Sequence, residues 1–172
     1  ANDPDPENSI FHAMSLEFQD KIRNYTDQKV DVEIYPAAQL GGEQEMVRGC
    51  QMGTQEATLV SMNNLNVYAK ALGFFTLPYM FKSTEEARYV IDQMWDQLNE
   101  WCTEQAGVRL LVITDANFRL LTNSERCVNT LEDLKGLKIR VPNNPIMIKG
   151  FTTFGIDPIR MAWTIFSDLQ QG

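Results

Sequence analysis

Arg140 and Arg119 are the side chains of this sequence best suited to holding a ligand. Arg140 lies in Leu137-Lys138-Ile139-Arg140-Val141. As a strand, that stretch turns Leu137, Ile139 and Val141 to one face and Lys138 with Arg140 to the other. Pro142 ends the strand, so Arg140 stands near its carboxyl end. A guanidinium fork can grip a carboxylate through two parallel N–H bonds, a geometry that lysine cannot match. Arg119 follows Asn117-Phe118 and precedes Leu120-Leu121-Thr122. It too lies near a strand or crossover and would add a second cation. On the pattern alone, a salt-bridged surface arginine is the simpler reading of both.

Other reactive groups form no recognisable constellation. His12 is the single histidine, and Cys50, Cys102 and Cys127 are far apart with no Cys-x-x-Cys pair. That spacing argues against a zinc site, and no metal or cofactor is implied. Three cysteines allow one disulfide with a free thiol, or three thiols. An enzyme pairing one of them with His12 is a third-ranked reading, which spatial separation of the two groups would sink. Gly41-Gly42 before a helix reads as a tight turn, since neither GxxxxGK[ST] nor GxGxxG is present. Phe74, Phe75, Tyr79 and Phe81, like Trp163 and Phe166, suit a core or the wall of a ligand pocket.

The elements that would position the arginines alternate in type. Phe11, Met14, Phe18, Ile22 and Tyr25 recur at helical spacing over about 8–25. A strand over 30–34 follows, then a helix from Glu43 to near Gly53, then a buried strand over 57–60. Ser83-Thr84 caps one long helix that runs to about Gln105 and stops at Gly107. Strands are expected over 108–113 and 118–122, and a short capped helix at 130–133 closed by Gly136. The Arg140 strand, a helix over about 144–154, a strand over 157–161 and a helix over about 163–171 complete the chain. Strands alternating with helices imply parallel βαβ units and an open α/β sheet, whose ligands bind beyond the carboxyl ends of the strands.

The bulk properties narrow the partners. The chain has 172 residues, 44% hydrophobic and 22% charged, which suits a globular fold rather than disorder. The net charge of −8 argues against nucleic acid, which needs a basic face, but not against a small anion held between two arginines. No apolar run approaches the ~20 residues of a membrane helix, so the chain is not expected to be membrane-embedded. Only two regular strands follow Thr122, and two strands rarely form an independent sheet. The last third therefore reads as the start of an incomplete unit.

Several stretches together resemble one family. Tyr35-Pro36-Ala37-Ala38-Gln39-Leu40-Gly41-Gly42-Glu43 resembles the strand–turn–helix signature of the DctP-type substrate-binding proteins of tripartite ATP-independent periplasmic (TRAP) transporters. Gly53-Thr54, Val60-Ser61 and Leu77-Pro78-Tyr79-Met80-Phe81 resemble its next segments, and Asn117-Phe118-Arg119 with Leu121-Thr122-Asn123-Ser124 its crossover between lobes. Its most distinctive stretch is matched by the run from Leu131 to Pro142, which ends Lys138-Ile139-Arg140-Val141-Pro142. Phe154-Gly155-Ile156-Asp157-Pro158 and Leu169-Gln170-Gln171-Gly172 also fit.

The resemblance implies an α/β fold like the type II periplasmic binding proteins, with two lobes and a ligand cleft between them. Lobe I would span 1–121, without the family's usual first strand and later return segments. Residues 122–172 would be the first part of an incomplete lobe II. It further implies a periplasmic, non-catalytic protein that captures a small organic acid, such as a dicarboxylate or sugar acid, and delivers it to TRAP permease subunits. Arg140 would pair with the ligand carboxylate and Arg119 would face the cleft. Asn143, Asn63 and Asn64 would add polar contacts, with Phe118 and Trp163 beside the ligand. Trp163 replaces a usual phenylalanine and would narrow the pocket, while Asn143 and Asn144 suit a hydroxylated acid. The competing reading is a ligand-binding sensory domain of a membrane signalling protein.

Overall fold

The computed structural model of the chain describes residues 9–114 and 118–161. Two compact units divide it between Ser61 and Met62. The lobe boundary expected at 121/122 is a different division, and the described residues on both sides of it lie in the second unit.

The first unit is built on two helices. Helix α1, Ile10–Tyr25, starts where Ser9 Oγ accepts a bond from the His12 N–H, which satisfies one of the orphan donors of the first turn. Helix α2, Glu43–Met52, buries Met46 and Val47 and ends at Gly53, whose φ of 69° is the left-handed cap a glycine supplies without strain. At its start, Glu45 Oε2 accepts from the Gly42 N–H at 2.7 Å. Glu43 Oε2 accepts from both the N–H and the hydroxyl of Ser61 at 2.7 and 2.6 Å.

The second unit carries the rest of the described chain. A short helix, α3 (Met62–Leu65), leads into a 3-10 turn over Lys70–Thr76. Helices α4 (Thr84–Gln93) and α5 (Trp95–Ala106) follow. Ser83 caps the first, with its hydroxyl accepting from the Glu86 N–H, and Gly107 ends the second with φ 65°. The sequence predicts one helix here, but Met94 interrupts it with φ −105° and ψ 9°. Tertiary packing explains the break. Helix α5 buries Leu98, Cys102 and Ala106, spaced four apart, and packs on the 3-10 turn, whereas α4 buries nothing.

The carboxyl-terminal part is a βαβ unit. Strand β1 (Lys138–Val141) is followed by α6 (Pro145–Thr153) and β2 (Asp157–Arg160), and the strands pair in parallel with Arg140 opposite Ile159. Leu137, Val141, Met147 and Ile156 form its core. This matches the expected strands and crossover.

Four expected strands are not paired. Among the described residues the sheet has two strands, and 30–34, 57–60, 108–113 and 118–122 have no ladder partner. The alternation that suggested the first persists, with Val32 and Ile34 half-buried between exposed Asp31, Glu33 and Tyr35. Side-chain periodicity survives, but a strand also needs a neighbour for its N–H and C=O groups. In 108–113 a side chain takes that part, because the Asn99 amide bonds both the N–H and the carbonyl of Leu110. The expected last helix, with Trp163, lies outside the described residues.

Candidate functional site

The sequence-predicted residues in the described chain, Arg140, Arg119, Asn143, Asn63, Asn64 and Phe118, all belong to the second unit. Arg140 is half-buried at the carboxyl end of β1, and its Nε donates to the Met161 carbonyl just beyond β2 at 2.9 Å. The bond ties the guanidinium plane to the carboxyl ends of both parallel strands, where an open α/β sheet receives ligands. Asn143 follows Pro142 and is exposed.

Arg119 is brought to Asn63. Its Nη2 donates to Asn63 Oδ1 at 3.0 Å, across 56 residues of chain. Asn63 sits in α3 beside the half-buried Asn64 and is only 6% exposed. Phe118, next to Arg119, is exposed. These bonds join Arg119 to Asn63 and Arg140 to the end of the sheet.

Asn144 connects the two regions and is completely buried. Its Nδ2 donates to the Asn63 carbonyl at 2.6 Å and to Asn66 Oδ1 at 2.7 Å, while its Oδ1 accepts from the Met147 N–H at 3.0 Å. A backbone carbonyl only accepts and a backbone N–H only donates, so this amide has one possible orientation. Asn66 then donates to Thr76 Oγ1 at 3.2 Å, and that hydroxyl donates to the Gly73 carbonyl at 2.8 Å. Each polar atom has a partner, as burial demands. Asn144 is therefore part of the frame rather than a surface offered to a hydroxylated acid. The sequence signal for it was local: an asparagine directly before proline fits a helix N-cap followed by N1, which is the arrangement at α6.

Another depression, of about 400 Å³, lies on α5 and is lined by Asp96, Asn99, Glu100, Thr103, Glu104 and Arg109. Three carboxylates against one guanidinium make it a poor host for an anion. His12 lies in the first turn of α1, with Nδ1 buried and unpartnered. Cys50, Cys102 and Cys127 are free thiols, half-buried, buried and exposed in that order. Among the described residues no group of three or more His, Cys, Asp or Glu side chains could hold a metal ion, and no helix is long and apolar enough to cross a membrane.

Known proteins share this fold. Residues 2–172 match the family described as bacterial extracellular solute-binding protein, family 7 (DctP). A TRAP periplasmic solute-binding protein from Rhodobacter sphaeroides, in an apo open form, is 42% identical and superposes with a TM-score of 0.76, covering 98% of this chain and 55% of that one. One from Polaromonas sp. JS666, bound to D-erythronate, is 31% identical with a TM-score of 0.89 over 97% of this chain and 55% of its own. The solute-binding protein RD1_1052 from Roseobacter denitrificans is 30% identical over 168 residues, 96% of this chain and 51% of its own length. Its structure holds L-galactonate and superposes with a TM-score of 0.84 over 94% of this chain and 54% of that one. The chain spans about half the length of the curated relatives it matches. These relatives are substrate-binding transport proteins, not enzymes, and they share the type II periplasmic binding fold, of which this chain covers part. On the family match along nearly its whole length, the chain belongs to the DctP family of bacterial extracellular solute-binding proteins.

Proposed function

We propose that the protein works in the periplasm, captures a sugar acid or closely related small carboxylate, and delivers it to TRAP permease subunits. The observation that carries this reading is Arg140, a guanidinium tied through Nε to the carboxyl ends of two parallel strands. A fork fixed in this way suits a carboxylate. D-erythronate and L-galactonate, the ligands of the two relatives, each combine one carboxylate with several hydroxyls. In this reading Arg140 takes the carboxylate and Arg119, anchored on Asn63, supplies a second cation. Asn143, Asn63 and Asn64 provide polar groups, and Phe118 and Trp163 apolar walls. The lobes are 1–121 and the first part of a second, 122–172, with the ligand between them.

Calorimetric titration of the full-length protein with D-erythronate, L-galactonate and a panel of dicarboxylates tests the proposal. Arg140→Ala should cost about 2–5 kcal/mol of binding free energy, the usual loss when one partner of a desolvated charge pair is removed. Arg140→Lys keeps the charge but not the fork, so it should recover only part of that loss. Unchanged affinity in Arg140→Ala would refute the assignment.

A further inference from the structure

We propose that Asn144 is a positioning residue for Arg119, acting through Asn63 without touching the ligand. The inference rests on the reading of Arg119 as a ligand-facing cation. The contacts run in a single line. Asn144 Nδ2 holds the Asn63 carbonyl at 2.6 Å, and Asn63 Oδ1 holds Arg119 Nη2 at 3.0 Å. Asn63 therefore has its backbone fixed from one side while its side chain fixes the guanidinium on the other.

The same amide belongs to the Arg140 end of the sheet. Asn144 lies four residues after Arg140, beyond Val141, the last residue of β1, and Pro142, both buried. Its Oδ1 caps α6 through the Met147 N–H, so it cannot shift without uncapping the helix. One buried amide thus sets the place of Asn63, and with it Arg119, relative to the segment that carries Arg140. A carboxylate gripped by groups misplaced by even ~1 Å loses hydrogen-bond geometry steeply. The second donor branch of Asn144 runs through Asn66 to Thr76 and Gly73 rather than through Asn63. It supplies an internal control.

The experiment uses full-length protein with D-erythronate and L-galactonate as probes, and reads Kd, Tm and the side-chain ¹⁵N signals of Arg119. Asn144→Ser retains a helix cap but is too short to reach Asn63. Asn63→Leu keeps the backbone carbonyl that Asn144 holds and removes the acceptor for Arg119, so it tests the second link alone. Asn144→Thr, another cap too short to reach Asn63, takes the place of the serine variant if that does not fold. Thr76→Val cuts the other branch. Asn144→Ser and Asn63→Leu should each weaken binding about tenfold, or ~1.4 kcal/mol, and shift the Arg119 signals toward those of a solvated guanidinium. Thr76→Val should lower Tm while leaving Kd within twofold and the Arg119 signals in place. The proposal is overturned if Asn144→Ser leaves the Arg119 signals unchanged, or if Thr76→Val weakens binding as much as Asn144→Ser at equal loss of Tm. Failure of the native protein to bind either acid would count against the functional reading. The Arg119 signals of ligand-free protein test the positioning on their own.

Discussion

Gly73 of the 3-10 turn packs against Ile146 of α6 with no room for a side chain. A Cβ placed on Gly73 would lie 2.3 Å from Ile146 Cδ1. Ordinary carbon contacts are ~3.5–4.0 Å, so the methyl would have to retreat by more than ~1 Å. The next neighbour, Asn66 Nδ2, is at 3.9 Å and tolerates the addition. Gly73 is not among the residues with positive φ, so space alone is the obstacle. Overpacking of this kind costs about 1–3 kcal/mol, and the reduced freedom of the unfolded chain returns about 0.4–1 kcal/mol. Gly73→Ala should therefore destabilise by about 0.5–2 kcal/mol. Ile146→Val deletes the obstructing methyl. Ile146 is half-buried, so that change alone should cost near the low end of about 0.5–1.5 kcal/mol. Together the two should be about 1 kcal/mol more stable than their sum. Urea unfolding of the four proteins of the cycle, in the full-length chain, gives the coupling. Additivity within about 0.5 kcal/mol would show that the contact does not set the packing of α6 on the turn.

Two further outcomes concern the thiols and the turn before β1. Cys102 is buried and its thiol is pushed up to about 11 by that burial. At pH 8 only about one molecule in a thousand would carry its thiolate. Mass mapping after brief labelling should find Cys127 modified first and Cys102 only after denaturation, and equal rates for the two would contradict the burial. Asp133 Oδ2 accepts from the N–H of Asn129 and from the hydroxyl and N–H of Thr130. These bonds, the Asn129 N–H foremost, hold its carboxyl below the usual range. A lowered folded pKa means stability that is present above the unfolded value and lost as pH falls through the folded one. Asp133→Asn should lower Tm near neutrality, and its gap from the parent should close below about pH 4. A gap of constant size from pH 7 to 3 would refute that account.

What the sequence makes legible here is whatever depends on neighbours in the chain. Ser83 and Gly107 mark helix ends because a cap is a bond within a few residues, and both serve as caps in the structure. The β1–α6–β2 unit is equally local, with Pro142 and the Asn144-Pro145 pair punctuating it. The Met94 break is not legible, since it follows from what Leu98 and Cys102 pack against. Nor are the unpaired stretches at 30–34 and 57–60, where side-chain alternation predicts a face but not a partner. At the candidate site, chemical type singles out Arg140 and Arg119. The bond between Asn144 and Asn63 joins residues 81 apart, and no spacing rule foreshadows it. The resemblance to DctP proteins points to the region of Asn63, and the structure adds that Asn63 is buried with its side chain bonded to Arg119.

The pairing of Asn144 with Pro145 also bears on how the protein ages. Asparagine amides are commonly lost when the backbone nitrogen of the next residue attacks the side-chain carbonyl and closes a five-membered ring. Proline has no hydrogen on that nitrogen, so the ring cannot form at Asn144. The side-chain carbonyl is, moreover, already bonded to the Met147 N–H. The residue that starts α6 thus shields the one buried amide whose conversion to a carboxylate would set a negative charge against the Asn63 carbonyl. The asparagine–proline order therefore makes the amide that holds Asn63 resistant to this route of spontaneous chemical decay.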